Sequence, residues 1–278
     1  MRASVVTYIY PNVVPFLGDL ILSLNNQTYS DFNLIVFNDG AQNIDKKFKN
    51  LNTDYTVFNV VGSINQIRFE SLKTLNKIAN EFIIFQDADD TLSINRLEVC
   101  IKYLSNNDIV VNDLSTANEN LEIMYSHFWK SRLKEGFEIG LKHLTDYNIV
   151  GLGNTSVRKS ILKTDILFSD IPIVFDWFLF YQIFEKNKKL RAVFTSQTTM
   201  IYRQHLNNTA GFKAITVESL KHIKKVKINH FLALNEIGYD FTKNLDNLIE
   251  IDLYKKLIEL KNTKTTKNYF WWEEIKTH

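Results

Sequence analysis

The chain has 278 residues, of which 45% are hydrophobic and 13% aromatic, so it can bury a large core and is not expected to be disordered. The net charge of +2 gives no reason to expect a nucleic-acid partner, and the single cysteine, Cys100, excludes a disulfide framework and a cysteine-based zinc site. Neither a signal peptide nor an apolar run long enough to span a bilayer is found, which predicts a cytoplasmic protein.

The first part of the chain alternates predicted strands with predicted helices. Strands are expected at 3–9, 32–37, 56–60, 81–86 and 108–112, and helices at 16–24, 67–78 and 94–104. This alternation is typical of a parallel, doubly wound α/β sheet. No GxGxxG follows the first strand and no GxxxxGK[ST] occurs anywhere, which argues against a standard dinucleotide site or a P-loop.

The rest of the chain has a different pattern. Its middle part predicts strands at 123–128 and 154–158, helices at 137–144 and 176–185, and a pair of strands at 190–194 and 198–203. From residue 215 onward, apolar residues recur at the spacing of long helices. We therefore expect a sheet domain over residues 1–212 and a helical extension over residues 213–278.

The stretch Phe82–Asp90 is the candidate centre of the sheet and of the site. Four apolar residues predict a buried strand, and Asp87, Asp89 and Asp90 follow it closely. Ligands of open α/β sheets bind outside the carboxyl ends of strands, and clustered carboxylates repel each other unless a cation or solvent compensates them. The pattern predicts that Asp87 and Asp89 help to hold a hard metal ion and, through it, a phosphate. The alternative is a plain turn, in which Asp90 or Ser93 caps the next helix.

Several segments, in this order, resemble the family 2 glycosyltransferases. Residues 23–32 are similar to the family's "SLxxQTYxxFE" stretch, and residues 34–40 to its "EIIVVDDGS". Residues 82–90 are similar to "YIxFLDADD", Asp176-Trp177 to the "ED" site before a helix, and residues 202–208 to "YRxHxxN". The resemblance covers residues 1 to about 210. It is specific because the similar segments occur in the same order as in the family.

The resemblance implies a fold and an activity. The fold is GT-A, a Rossmann-like and mostly parallel sheet flanked by helices, with a nucleotide-binding half at 1–112 and an acceptor-binding half at 113–212. The activity is transfer of a sugar from a nucleotide-diphosphate sugar, with UDP as the expected nucleotide, to the hydroxyl of a saccharide or a lipid-linked acceptor. The implied transfer inverts the anomeric carbon, uses Mn²⁺ or Mg²⁺, and serves bacterial surface polysaccharide or glycoconjugate synthesis.

The resemblance also implies roles for single residues. It makes Asp176 the catalytic base, and Asp89 and His205 the metal ligands. The residues that it implies for nucleotide-sugar binding are Tyr8, Asp39, Arg68, Asp87, Ala88 and Arg203. Four of them have a structural alternative: Asp176 as a helix cap, Arg68 as a solvated helix residue, Asp39 as part of a turn with Gly40, and His205 as a loop hydrogen-bonder.

The chain departs from the family pattern at three positions. Asn38 stands where the family has its first strand-two aspartate, Phe175 stands where a glutamate usually precedes the base, and Tyr8-Ile9 replaces the usual Pro-Thr. These departures leave open a non-catalytic module that binds a carbohydrate or a partner protein. A sugar nucleotidyltransferase is a further alternative, but a Gly-rich, basic loop would be expected where residues 10–15 stand.

The C-terminal helices allow two interpretations. One is a helical cap or a homodimer surface that buries their apolar stripes. The other is peripheral contact with the inner face of a membrane. The residues that suggest membrane contact are Lys221, Lys224, Lys225, Lys227 and Phe270-Trp271-Trp272.

Overall fold

The computed structural model describes residues 2–145, 147–163, 165–205, 208 and 216–262. The strands are β1 (Ala3–Ile9), β2 (Phe32–Asn38), β3 (Tyr55–Asn59), β4 (Phe82–Phe85), β5 (Thr91–Leu92), β6 (Ile109–Ala117), β7 (Ile123–Tyr125), β8 (Glu138–Ile139), β9 (Thr155–Arg158) and β10 (Ala192–Arg203). The helices are α1 (Leu17–Asn25), α2 (Ile44–Phe48), α3 (Ile64–Ile78), α4 (Arg96–Leu104), α5 (Phe175–Lys186), α6 (Val217–Glu236), α7 (Thr242–Glu250) and α8 (Leu253–Asn262).

The described strands form one sheet in the order β3-β2-β1-β4-β9-β6-β10-β5. The first four are parallel, and β6 is parallel to β10, whereas β9 runs antiparallel between β4 and β6. The expected mixed α/β fold with a mostly parallel sheet is therefore confirmed. Strand β6 runs across the expected division at 112–113, and the expected boundary at 212–213 lies outside the described residues.

Neighbouring residues of the central strands point to opposite faces of the sheet, and both faces are buried. Val5 of β1 packs with the side chains of α1 and α4, while Val6 packs with those of α3 and α5. Strands that are buried on both faces need continuous apolar runs, and this explains the sequence of β4, Phe82-Ile83-Ile84-Phe85.

Two predicted elements of the middle part are wrong. The pair of strands at 190–194 and 198–203 is one strand, β10, because β6 pairs with residues 192–195 and again with residues 199–203. The register shifts between Thr195 and Thr199, and the carboxylate of Glu135 accepts hydrogen bonds from Ser196 within this bulge. The helix expected at 137–144 is strand β8 followed by a 3₁₀ helix, because residues 138–139 pair with β10.

Helices α6 and α7 bury part of the apolar stripes seen in the sequence, whereas Ile249 and Ile258 are more than half exposed. In α6 the side chains of Leu220, Ile223, Phe231 and Leu234 are buried, and in α7 those of Leu245 and Leu248. Of the lysines that suggested membrane contact, Lys227 is buried and Lys224 donates to the carbonyl of Ile249 at 2.9 Å. In the described part of the chain, no helix is long and apolar enough to cross a membrane. Residues 270–272 lie outside the described residues, so membrane contact and dimerisation stay predictions.

Two leucines of α1 test how much the packing of the core contributes to stability. Leu20 is fully buried, whereas Leu22 is 61% exposed on the same helix. Leu20→Ala should lower the free energy of unfolding by about 2–5 kcal/mol, because it removes buried methyl groups and leaves a cavity. Leu22→Ala should change it by no more than about 0.5 kcal/mol. Urea unfolding of both variants measures the difference, and equal losses would contradict the buried position of Leu20.

Candidate active site

A cavity of about 570 Å³ opens where β1, β2 and β4 end. The carboxyl ends of parallel strands meet at one edge of a sheet, which is where open α/β folds bind ligands. Of the residues expected at the site, this cavity is lined by Tyr8, Asp39, Arg68, Asp87, Ala88, Asp89 and Asp176. The structure thus brings together side chains that are far apart in the sequence.

The carboxylates after β4 carry negative charge that the surroundings compensate only in part. Loss of solvent raises the pKa of Asp87 to about 6; Arg68 opposes this rise and Asp89 adds to it. Burial, reinforced by Asp89 and Asp87, raises the pKa of Asp90 well above its usual range. Among the described residues, Oδ2 of Asp90 has no hydrogen-bond partner, while Oδ1 accepts from the backbone N–H of Arg203 at 2.8 Å. Asp90 therefore supports β10 and does not cap a helix.

Asp89 and His205 lie in direct contact. Oδ2 of Asp89 is 2.9 Å from Nε2 of His205. The ring of Phe16 lies against the imidazole, with ring centroids 4.8 Å apart. His205 is a residue of the segment that follows β10, so the fold alone brings it to the end of β4.

Arg203 lies behind this pair rather than on the cavity wall. It is only 2% exposed, and its guanidinium donates to the backbone carbonyl of Asp89 at 2.8 Å and to Oδ2 of Asp19 at 2.7 Å. It also donates to the carbonyl of Glu119 and lies 4.6 Å from the centroid of the Phe16 ring. This placement gives Arg203 a positioning role, and its expected contact with the diphosphate stays a prediction.

Asp176 is held by donors from its own helix and from the segment 148–152. Oδ1 accepts from Nδ2 of Asn148 at 3.0 Å and from the backbone N–H of Trp177 at 2.8 Å, and Oδ2 accepts from the backbone N–H of Leu152 at 3.2 Å. Helix α5 begins at Phe175, so Asp176 lies in its first turn and not at the N-cap. Three donors of hydrogen bonds fix the direction in which this carboxylate faces the cavity.

The segment 148–154 connects Asp176 with Asp87. A Cβ atom at Gly153 would lie 2.5 Å from Oδ2 of Asp87, so no larger residue fits there without a shift. A Cβ atom at Gly151 would lie 3.0 Å from Oδ1 of Asn154 and 3.6 Å from Oδ2 of Asp176. The sequence analysis did not identify this segment; the two glycines in Gly151-Leu152-Gly153 were the available signal.

A fully buried arginine, Arg96, lies beneath the carboxylates. It donates to Oδ1 of Asn112 at 2.9 Å, to the carbonyl of Gly153 at 2.7 Å and to the side chain of Gln86. Burial lowers the pKa of Arg96, and the nearby Cys100, Asp87 and Asp90 act in the opposite direction. The sequence analysis also missed Arg96, because an arginine in the first turn of a helix is ordinarily solvated.

Aromatic side chains form the wall of the cavity next to β1 and β2. The rings of Tyr8 and Phe37 stack at 5.4 Å, and the guanidinium of Arg68 lies 5.6 Å from the centre of the Tyr8 ring. The hydroxyl of Tyr8 is 2.6 Å from that of Ser71, and burial raises the pKa of Tyr8 to about 12, which keeps it neutral. Nε of Arg68 is buried and has no hydrogen-bond partner among the described residues, so Arg68 is not a freely solvated helix residue.

The two departures next to site residues have structural roles. The side-chain amide of Asn38 donates to the carbonyl of Ala41 at 3.1 Å and to Oδ1 of Asn59 at 2.9 Å, which a carboxylate cannot do. Asn38 therefore closes the turn while the next residue, Asp39, faces the cavity. Phe175 is 3% exposed and lines the cavity as part of the core.

Comparisons with known proteins agree with this geometry. The model of the family "Glycosyl transferase family 2" matches residues 4–165. An uncharacterized glycosyltransferase of Haemophilus influenzae is 23% identical over 279 aligned positions, which cover 90% of this chain and 80% of the relative.

Solved structures show the same fold. Residues 1–349 of S. aureus TarS, in complex with UDP-GlcNAc, match with a TM-score of 0.59 at 16% identity, over 92% of this chain and 78% of that one. The mannosyltransferase PcManGT from Pyrobaculum calidifontis, in complex with GDP-Man and Mn²⁺, matches with a TM-score of 0.57 at 13% identity, over 92% of this chain and 70% of that one. The chain belongs to glycosyl transferase family 2 and has the GT-A fold.

The raised pKa of Asp87 predicts a pH dependence of stability. Its folded-state pKa of about 6 lies above the ordinary 3.8, so the folded protein binds this proton more tightly than the unfolded chain. Stability that depends on this proton is lost as the pH rises through about 6. The free energy of unfolding of Asp87→Asn, relative to wild type, should therefore rise between about pH 4 and pH 6 and then level off.

Urea unfolding across this pH range measures the difference. Asp246→Asn on the exposed face of α7 is the matched control and should show no such rise. A constant difference between Asp87→Asn and wild type would contradict the buried, charge-repelled environment of Asp87.

Proposed function

We propose that this chain transfers a sugar from a nucleotide-diphosphate sugar to an acceptor hydroxyl and inverts the anomeric carbon. The observation that carries the proposal is one cavity in which Asp39, Asp87 and Asp89 at the strand ends face Asp176 from α5. Such an arrangement supplies groups for a nucleotide and a leaving diphosphate on one side, and a base on the other.

The residues at the end of β4 fit a divalent cation. Asp89 and His205 are oxygen and nitrogen ligands in contact with each other, and the raised pKa values of Asp87 and Asp90 show an unmet need for positive charge. In the part of the chain that the structure describes, no three His, Cys, Asp or Glu side chains form a metal site, so an ion held here would take further ligands from the diphosphate. Bound Mn²⁺ or Mg²⁺ would offset the charge of the leaving diphosphate.

The transfer follows from the side chains of the cavity. The Asp176 carboxylate accepts the proton of the acceptor hydroxyl as the oxygen attacks the anomeric carbon. The bond between this carbon and the diphosphate oxygen breaks, and its electron pair leaves with the diphosphate. Asn148 and the N–H of Leu152 hold the carboxylate in place during proton transfer. Displacement in one step inverts the anomeric carbon and needs no enzyme nucleophile.

The donor side of the cavity suits a nucleotide. The Tyr8 and Phe37 rings line the cavity together with Asp39, whose carboxylate can accept from a base N–H. Nε of Arg68, which has no hydrogen-bond partner among the described residues, offers a further N–H donor. TarS was solved with UDP-GlcNAc and PcManGT with GDP-Man and Mn²⁺, and we expect a UDP-sugar here. A role in bacterial surface polysaccharide or glycoconjugate synthesis is part of the same proposal.

The segment after β1 argues against the nucleotidyltransferase alternative. Residues Pro11–Phe16, which follow β1, form a 3₁₀ helix with prolines at both 11 and 15. A Gly-rich, basic loop that would wrap the phosphates of a nucleoside triphosphate is therefore missing from this position.

Nucleotide binding tests the donor side. Thermal unfolding with UDP, GDP, dTDP or CDP, each with and without Mn²⁺, should show stabilisation by one nucleotide that depends on the metal. A ligand at about 100 times its Kd adds roughly 2.7 kcal/mol, which raises Tm by several degrees. Asp89→Ala should abolish the metal-dependent part, while Asp246→Ala should keep it. No shift with any nucleotide would favour the non-catalytic module.

Asp176→Asn tests the base. The amide keeps the size of the side chain but cannot accept the acceptor proton, so turnover should fall by about 10²–10⁴-fold. Binding of UDP and Mn²⁺ by isothermal titration calorimetry should stay as in wild type, because the donor contacts the other side of the cavity. Wild-type turnover in this variant would remove Asp176 as the base.

A further inference from the structure

The segment 168–174 forms the cavity wall that leads directly into Asp176. Phe168, Ile173 and Val174 line the cavity and Phe175 continues this apolar surface up to the carboxylate, while Ser169 and Asp170 add polar groups to the wall. An acceptor hydroxyl that meets Asp176 must therefore lie against this wall. The wall suits a hydroxyl compound with an apolar face, such as the C–H face of a sugar ring or an aliphatic group.

Helix α6 holds this wall from behind. Nδ2 of Asn229 donates to the carbonyl of Pro172 at 3.0 Å, and the hydroxyl of Ser169 donates to Oε2 of Glu236 at 2.5 Å. Asn229 and Glu236 are two helical turns apart and lie on the same face of α6. Two hydrogen bonds therefore tie the wall to α6, one through the backbone carbonyl of Pro172 and one through the side chain of Ser169.

The same helix reaches the neighbour of Asp176. The imidazole of His230 stacks on the indole of Trp177, with centroids 3.8 Å apart and planes 13° apart. Both residues are fully buried, and burial lowers the pKa of His230 to about 3, so the ring is neutral. Neither ring nitrogen of His230 has a hydrogen-bond partner among the described residues, which leaves ring stacking as its main contact. The backbone N–H of Trp177 donates to Oδ1 of Asp176 at 2.8 Å, while its indole N–H donates to the carbonyl of Leu144 at 2.6 Å.

The opposite side of the wall is held by α3. Nδ2 of Asn65 donates to the carbonyl of Ile173 at 3.3 Å, and the rings of Phe69 and Phe168 are 5.2 Å apart. Helix α3 also carries Arg68 on the donor side. The wall is thus held between a helix of the donor side and a helix of the C-terminal extension.

We propose that α6 is the positioning element of the acceptor side. It fixes the wall through Asn229 and Glu236, and it fixes Asp176 through the stacking of His230 on Trp177. This inference rests on the proposed function and extends it to the C-terminal helices. Both the wall and α6 lie beyond residue 165, where the match to the family model ends.

The first test distinguishes a positioning role of His230 from a role in stability alone. His230→Ala removes the ring that stacks on Trp177, and His230→Phe keeps a flat ring and loses only nitrogens that make no hydrogen bond. The probe is release of the nucleoside diphosphate with water as acceptor: UDP from UDP-GlcNAc, UDP-Glc or UDP-Gal, and GDP from GDP-Man. His230→Ala should lower kcat by about tenfold to 100-fold without changing the donor KM, and His230→Phe should restore kcat.

The second test uses substitutions that leave the core intact. Asn229→Ala combined with Glu236→Ala should speed hydrogen–deuterium exchange over 166–177 and leave exchange over 82–92 and binding of UDP and Mn²⁺ unchanged. The matched control is Glu218→Ala combined with His222→Ala, two exposed positions of α6 that should change neither.

The outcomes distinguish the two proposals. Nucleotide binding with equal kcat in all His230 variants, or unchanged exchange in the double variant, would overturn the role of α6 alone. A wild-type protein that binds none of the nucleotides would overturn the proposed function and this inference with it.

Discussion

Mutual repulsion among the carboxylates after β4 is the constraint on which the site depends. Asp87, Asp89 and Asp90 lie where burial removes much of the solvent that would stabilise their charges, and the raised pKa values of Asp87 and Asp90 express this cost. The surrounding structure supplies positive charge and hydrogen-bond donors that offset part of this cost. Arg96 lies beneath the cluster, and Arg203 holds the carbonyl of Asp89 and the carboxylate of Asp90 from behind. The compensation is incomplete at the cavity, where a bound cation would supply the missing positive charge.

The cavity has two sides of different origin. Its donor side is built by the ends of β1, β2 and β4, which lie within residues 4–165, the range that the family model matches. Its other side is built by residues 168–176 and is supported by α6, which lies beyond that range. Such a division lets one part of a fold keep a nucleotide site while another part adapts to an acceptor. Asp176 lies at the boundary, held by donors from 148–152 and, through Trp177, by α6.

Individual residues show which features of the site can be predicted from sequence motifs. Asp39, Asp87, Asp89 and Asp176 were predicted from motifs and share one cavity, because each motif marks the end of a strand or the start of a helix. Asn38 departs from the family pattern, and its amide closes the turn that presents Asp39. Arg203 lies behind Asp89, and its expected contact with the diphosphate stays a prediction. A motif identifies the residue type at a position, whereas the direction of the side chain depends on neighbours that are distant in the chain.

The sequence by itself determined the α/β class, the strands of the first half and the motif residues, because local periodicity and strand-end chemistry are written in short stretches of chain. Only the tertiary structure decided that residues 192–203 form one bulged strand, that Arg96 is buried beneath the carboxylates, and that Gly153 lies against Asp87. It also decided that α6 supports the wall beside Asp176. These features depend on contacts between residues that are tens of positions apart, and such contacts leave no periodic signal in the sequence.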